Sequence, residues 1–368
     1  MSFQLCGLGI SGTPYPLSQE KASSLAQAIN NRRPDTDGWI QDIYRHAGIQ
    51  KRTICVSEAV VRDIEQGTRE TGSPFLLKGP EDFHGPSTAQ RMKVYWEIAA
   101  PMSLAAAKEA LSDARVEPEE ITHLVLVTCT GFRSPGLDCW LIEQLKLNSD
   151  VARTQVGFMG CQGAFNGLRV AKAFTGSDPK AVVLMVAVEV CSVHYHYGRE
   201  MRRLVGNALF ADGAAALVGR SPAAGIGSNW ELKTTGSCML PDSEDAMSWS
   251  IGDYGFEMEL SPKIPNMIAK YLTGWLESWL KSQHLNQADI RSWAIHPGGP
   301  KILNGICEVL GLGEDEIAVS REVLSQYGNM SSATVLFLLR LHRLRNAPRP
   351  CLALGFGPGM FVESMLWV

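Results

Sequence analysis

Three stretches from the middle of the chain return, in the same order, near its end. THLVLVTCTG followed by PGLDCWLIEQLKL (122–147) is echoed by RSWAIHPGG followed by PKILNGICEVLGL (291–312). VGFMGCQGAFNGLRVAKA (156–173) is echoed by LSQYGNMSSATVLFLLRL (324–341), and AVVLMVAVEV (181–190) by PCLALGFGPG (350–359). The spacings agree: Cys129 and Cys161 are 32 residues apart, His296 and Asn329 33, while Cys161 to Glu189 and Asn329 to Gly357 are both 28. Apolar runs of strand length alternate with longer helical stretches, which is the pattern of an α/β fold. Strands are expected at 123–129, 181–190, 293–296 and 351–356, and helices at 96–112, 136–146, 161–174, 264–283 and 330–345, with Gly176 as a helix-ending glycine. A repeated strand–helix–strand order implies two halves packed about a pseudo-twofold axis, taken as 1–220, which holds Cys161, and 221–368, which holds His296 and Asn329. Gly160-Cys161 then corresponds to Gly328-Asn329, each expected at a strand-to-helix junction, so Cys161 and Asn329 become neighbours with His296 close by.

The composition limits what such a fold does. The chain has 368 residues, 45% hydrophobic and 20% charged, with a net charge of −4. That is enough for more than one core. It lacks the basic excess of a nucleic-acid or membrane surface. No apolar run reaches the length of a membrane span, and MSFQLCGLGISG lacks the features of a signal peptide and reads as a first strand followed by a glycine turn. Nine cysteines stand singly, an odd number without a C-x-x-C. A disulfide framework or a zinc site is therefore not expected, and a cytoplasmic location is.

A single free cysteine is usually a packing residue, a lone histidine usually a satisfied one, and an asparagine before serines usually a helix cap. Matching turns in two halves change that reading. A thiol at a helix N-terminus meets partial positive charge that favours thiolate, and a histidine nearby adds to it. Two chemistries fit a Cys, His and Asn set. One is hydrolysis through an acyl-enzyme, with Asn orienting His; the papain-type C-G-[SA]-C-[WY] signature is absent. The other is carbon–carbon condensation, in which Asn and His hydrogen-bond a thioester carbonyl and stabilise the enolate left when a malonyl group loses carbon dioxide.

GFMGCQGAFNGLRVA, HPGGPKIL, YGNMSSA and GFGPG resemble the type III polyketide synthases of the chalcone synthase superfamily, and so do TCTGFRSPGLD and NALFADGAAA. The likeness runs essentially end to end. Relatives that initiate fatty acid synthesis carry HQAN and GNTS instead, which are not found. The resemblance implies the thiolase fold, two α/β halves in a five-layered α-β-α-β-α arrangement, as a homodimer. It implies Cys161 as the nucleophile that takes an acyl group from CoA, with His296 and Asn329 driving malonyl-CoA decarboxylation. The substrates are then acyl-CoA and malonyl-CoA, with no metal and no further cofactor. Phe210 and Phe256 match the family's gatekeepers between CoA tunnel and cavity. Gly298, Gly299, Ser331, Gly357 and Pro358 fall in the matching motifs and are expected to bind substrate.

The departures bear on substrate. Ser134 stands where the plant enzymes have a methionine that reaches across the dimer. Cys129 replaces a threonine that shapes the starter pocket, and His194 a threonine on the cavity floor. These changes argue against chalcone formation and favour an aliphatic starter with a pyrone or resorcinol-type product. The basic trio that grips CoA in plant enzymes falls at Trp39, Asp42 and His46, so Arg45, Lys51 or Arg52 is expected to substitute. Gly7, Gly9 and Gly12 match G-x-G-x-x-G, but Thr13-Pro14-Tyr15-Pro16 follows where a dinucleotide site needs a helix. His194 and His196 alternate on one face without a third metal ligand, and Arg199, Arg202 and Arg203 read as a surface cluster. A ketoacyl synthase acting on acyl carrier protein and a catalytically silent scaffold are the alternative readings.

Overall fold

The computed structural model describes residues 3–30, 38–79, 82–197, 201–222 and 230–368, without the side chains of 201 and 202. Its strands are β1 (Phe3–Ser11), β2 (Pro16–Ser18), β3 (Lys51–Thr53), β4 (His123–Thr128), β5 (Ala152–Gly157), β6 (Val182–Val190), β7 (Asp212–Arg220), β8 (Glu231–Met239), β9 (Met247–Gly252), β10 (Gly255–Leu260), β11 (Ser292–Ile295), β12 (Cys351–Gly357) and β13 (Phe361–Trp367). Its helices are α1 (Gln19–Asn30), α2 (Trp39–Arg45), α3 (Glu58–Gln66), α4 (Thr88–Ala114), α5 (Leu137–Leu145), α6 (Gly163–Ser177), α7 (Met201–Leu209), α8 (Ile264–Ser282), α9 (Pro300–Leu310), α10 (Glu314–Tyr327) and α11 (Thr334–Leu344).

The echo in the sequence is an echo in the sheet. Strand order is β11-β12-β13-β8-β1-β7-β6-β4-β5. β4 runs parallel to β6, which pairs antiparallel with β7, which pairs antiparallel with β1. In the other half β11 runs parallel to β12, which pairs antiparallel with β13, which pairs antiparallel with β8. A short seam, Phe3 opposite Leu232 and Gln4 opposite Glu231, joins the two sets.

Side-chain alternation builds the layers. Leu124 and Leu126 of β4 pack with Ala99, Ala106 and Leu111 of α4 and Leu141 of α5, whereas Val125 and Val127 face the other way, toward Phe165 and Leu168 of α6. In α11 the run Val335–Leu339 is buried throughout. A helix apolar all round has to be covered all round, and α6 and α11 share one core with strands of both sheets. On the far side, Ile264, Ile268, Leu272, Leu276 and Leu280 give α8 a stripe that packs with α9 and with Leu352 and Leu354 of β12. The result is five layers: α4 and α5, a sheet, α6 with α11, a second sheet, then α8 and α9.

Three expectations change. The segment LSQYG, the counterpart of β5 and the turn after it, belongs to helix α10, so Asn329 follows a helix rather than a strand. Its buried residues Ile317, Ser320, Val323 and Leu324 recur at helical spacing. Gly176 lies inside α6, whose last residue is Ser177, so it does not cap the helix. Gly7 and Gly9 lie within β1 rather than in a turn after it. A Cβ on Gly7 would sit 2.4 Å from the Ala110 carbonyl oxygen, and one on Gly9 2.2 Å from that of Ala106. These glycines let a strand touch the backbone of α4 and have no nucleotide to cradle.

Two substitutions test this packing. Gly9→Ala forces α4 off the sheet and is expected to cost about 1–3 kcal/mol, as overpacked cores do. Gly274→Ala, on an exposed helix position of α8 with nothing within 4 Å of the added carbon, is expected to stabilise by about 0.5–1 kcal/mol. Thermal melts that moved the same way for both would contradict the close approach.

Candidate active site

The site forms where three loops of the two halves meet. The first is the turn Gly160–Gln162 that leads into α6 and carries Cys161. Gly160 has φ +71°, and a Cβ there would lie 2.2 Å from Cδ of Pro358. Only glycine combines that backbone with that neighbour. The second loop, after β12, supplies Pro358. The third is the junction between α10 and α11, where the Asn329 N–H donates to the Leu209 carbonyl at 3.0 Å and the Ala211 N–H donates to the Asn329 carbonyl at 2.9 Å. Phe158, Ser331 and Met360, one in each loop, hold positive φ values of 61°, 48° and 45°. Residues other than glycine rarely do so outside sites where the surroundings enforce it.

Cys161 and Asn329 are therefore neighbours across the two halves. The Ser331 N–H donates to Asn329 Oδ1 at 2.9 Å, which fixes the amide and leaves its NH₂ for the sulfur. Burial pushes the Cys161 thiol up to about 11; hydrogen bonds from Ser331 and Asn329 oppose the rise, and the Glu189 charge adds to it. The helix N-terminus expected to favour thiolate thus acts against a larger effect, the loss of water around the sulfur.

His296 closes β11, and its N–H donates to the Leu354 carbonyl of β12 at 2.8 Å. The turn it opens meets the Asn329 junction, because a Cβ on Gly299 would touch Leu209 Cδ1 at 3.3 Å. The His296 ring is 1% exposed, and neither of its nitrogens has a partner among the described residues. Burial pushes its pKa down to about 4, so the ring is neutral. A buried polar group without a partner costs about 1–3 kcal/mol, a cost that a bound oxygen would relieve.

A cavity of about 1050 Å³ opens onto Cys161 and is lined also by Cys129, His194, Phe210, Phe256, Ser331 and Pro358. Asn329, His296, Gly298, Gly299 and Gly357 are not among the residues that line it. A Cβ on Gly357 would meet Gln162 at 2.7 Å, so this glycine lets the β12 loop close on the cysteine turn. The Cys129 sulfur accepts the Gly160 N–H at 3.0 Å. His194 has both nitrogens engaged: Nε2–H donates to the Thr130 carbonyl at 2.7 Å, and Nδ1 accepts the Phe256 N–H at 2.9 Å. Its ring stacks on Phe256 at 4.2 Å between centroids. Burial pushes its pKa down to about 3. His194 thus holds Phe256 in place, a role visible only in three dimensions.

The remaining expected residues lie elsewhere. Ser134 is exposed, outside this chain's cavity. Arg45 is exposed and pairs with Asp42 at 3.0 Å, and Lys51 is exposed. Arg52 is buried, in the cavity wall, and its guanidinium donates to the Phe210 carbonyl. Arg199 and the Arg202 side chain lie outside the described residues, while Arg203 pairs with Glu257 at 2.9 Å. No group of three or more His, Cys, Asp or Glu able to hold a metal occurs among the described residues, and no helix there is long and apolar enough to cross a membrane. The sequence reading passed over Glu189. A single carboxylate inside the apolar run VVLMVAVEV was the available signal, and the structure puts it beside Cys161.

Comparison with known proteins agrees with this architecture. The N-terminal domain of the chalcone and stilbene synthases matches residues 68–222, and their C-terminal domain matches 231–368. Polyketide synthase 37 of Dictyostelium discoideum is 32% identical over 306 residues, covering 80% of this chain, which spans only 10% of that protein's length. The alpha-pyrone synthesis polyketide synthase-like Pks18 of Mycobacterium tuberculosis is 33% identical over 292 residues, 77% of this chain and 74% of its own. Among solved structures, PKS-I from the brown alga Ectocarpus siliculosus superposes with a TM-score of 0.89 at 30% identity, covering 100% of this chain and 98% of that one. The C-terminal type III polyketide synthase domain of Steely1, a type I/III hybrid from Dictyostelium, gives 0.86 at 26% identity, covering 100% and 99%. The chain belongs to the chalcone and stilbene synthase family, the type III polyketide synthases, which are condensing enzymes of the acyltransferase type.

Proposed function

We propose that this chain loads an acyl-CoA starter on Cys161, extends it with malonyl-CoA, and cyclises the product to a pyrone or resorcinol-type compound, with aliphatic starters favoured. The observation that carries the proposal is the joint placement of Cys161 and Asn329 at a large cavity, with the unpartnered imidazole of His296 at the head of a turn that meets the Asn329 junction.

In loading, the Cys161 sulfur attacks the thioester carbonyl, its proton passes to His296, and the CoA thiol leaves with that proton. In extension, the malonyl thioester loses carbon dioxide, and the electron pair of the broken C–C bond moves onto the carbonyl oxygen. N–H groups of His296 and Asn329 hold that oxyanion, the kind of preorganised donor pair whose members are each worth about 3–4 kcal/mol of barrier. The enolate carbon then attacks the acyl carbon on Cys161, and the cysteine sulfur departs for the next round. The two halves, 1–220 and 221–368, are the units that supply the nucleophile and the donor pair.

The aliphatic preference is supported by the wall at His194. A hydroxyaryl starter wants a hydrogen-bond partner deep in the cavity. His194 has none to give, because both its nitrogens are bound to backbone groups. A homodimer and a cytoplasmic setting complete the proposal; Ser134 lies exposed beside the exposed Phe132, where a partner could meet it, and all nine cysteines are free thiols.

Cys161→Ala is expected to abolish starter loading and extension while malonyl-CoA decarboxylation persists, read by mass spectrometry of acyl-enzyme and products. Undiminished polyketide formation by that variant would refute the nucleophile. In the same variant, Asn329→Ala should lower the remaining decarboxylation by about 10²–10³-fold. The His296 ring, freed of any thiolate partner there, should stay neutral down to about pH 5, since a buried base binds its proton only near pH 4. An imidazole NMR midpoint near the usual value of about 6.5 would contradict that. With malonyl-CoA and a mixed set of starters, aliphatic acyl-CoAs should give the most product, and aromatic starters winning would overturn the preference.

A further inference from the structure

The cavity does not end around Cys161. The same space is lined by Leu17, by Ala22, Leu25, Ala26 and Ile29 of α1, and by Ile64 of α3. None of these residues carries a sequence motif. Positions 22, 25, 26 and 29 recur at i, i+3, i+4 and i+7, the apolar stripe of an amphipathic helix. Ala22 and Ala26 pack in part against Ile40 and Tyr44 of α2, and the same stripe also lines the cavity. The step from site to stripe is short, because Gln19 at the start of α1 donates from Nε2 to the Ala208 carbonyl at 2.9 Å, two residues before Phe210.

We propose that this arm under α1 holds the alkyl tail of the starter and sets the chain length the enzyme accepts. The inference rests on Cys161 carrying the acyl group and adds where the rest of that group lies. Protein interiors are packed as tightly as organic crystals, with few voids larger than a water molecule, so an apolar space on this scale needs an occupant. A pantetheine arm is a poor one: its amides need hydrogen-bond partners and its phosphates need cations. The side chains of Leu17, Ala22, Leu25, Ala26, Ile29 and Ile64 offer neither. Arg52, a cation of the same wall, is turned to the Phe210 carbonyl and lies 5.6 Å from the Tyr44 ring centroid. An alkyl chain asks only for surface that excludes water, and each methylene buried there adds to its binding. Ala22 and Ala26, one turn apart, make the room, and from Ala22 to Ile29 the helix advances about 10 Å.

The test is a ladder of acyl-CoA starters from hexanoyl to hexadecanoyl. Ala26→Phe should lower kcat/KM for the longest starters by about tenfold or more while leaving hexanoyl-CoA within about twofold, since one methylene more or less in an apolar pocket changes kcat/KM by about 10–200-fold. Leu25→Ala should shift the optimum to longer chains. An unchanged ladder, or an equal loss at every length, would overturn the assignment. A second measurement needs no variant. The wild-type enzyme is loaded with a long acyl-CoA bearing a diazirine at the tail end, irradiated and digested. Label on the peptide spanning 17–30 is expected; label confined to the β9–β10 hairpin would overturn the arm while leaving the nucleophile intact. Failure of any acyl group to load on Cys161 would instead remove the proposed function, and the arm with it.

Discussion

Glu189 is the point on which the two halves agree. It closes β6 with no exposed surface and accepts the Cys129 N–H, the Thr130 hydroxyl at 2.7 Å and the Ser332 hydroxyl. The first two donors belong to the loop after β4, and the third belongs to the α10–α11 junction three residues beyond Asn329. A carboxylate is expensive to bury unless its oxygens are satisfied, so these donors cannot drift apart without stranding it. The same charge raises the pKa values of Cys161, Cys129 and Cys191. The interaction that locks the halves together therefore also tunes the thiol between them.

That lock depends on the middle layer. α6 and α11 are both wrapped in apolar surface from two sheets, and each begins in a tight turn at the same end of the molecule. Burial fixes the helices along their length, and the turns at their starts inherit that precision. The cost is low solvation. The thiol and both site imidazoles shift away from their charged forms. These groups rest uncharged, which suits a reaction whose intermediates are oxyanions awaiting neutral donors.

Around the site the chain trades polar contacts for shape. His194 spends both nitrogens on backbone groups and stacks on Phe256, and Trp249 Nε1–H donates to the Cys129 carbonyl at 2.9 Å. Arg91 is buried in a cage of carbonyls from Pro86, Val193, Tyr195 and His84, which ties α4 to the loop carrying His194. These groups turn their polar atoms to the protein rather than to the cavity.

The sequence by itself determined the duplication, the positions of β4, β6, β11 and β12, the two central helices, and the likeness in which Cys161, His296 and Asn329 stand out. Those features are periodic or local, and periodicity and motif survive in one dimension. It misread LSQYG because the echo with β5 outweighed a helical pattern in α10, and it took Gly7 and Gly9 for a turn because their partner, α4, lies about a hundred residues away. Only the tertiary structure decided that Arg52 faces the Phe210 carbonyl, that His194 is a clamp, that Glu189 joins the halves, and that the apolar stripe of α1 lines the cavity. Each of these depends on atoms brought together from distant segments, and a cavity is defined by atoms that are not there, for which no letter in the sequence stands.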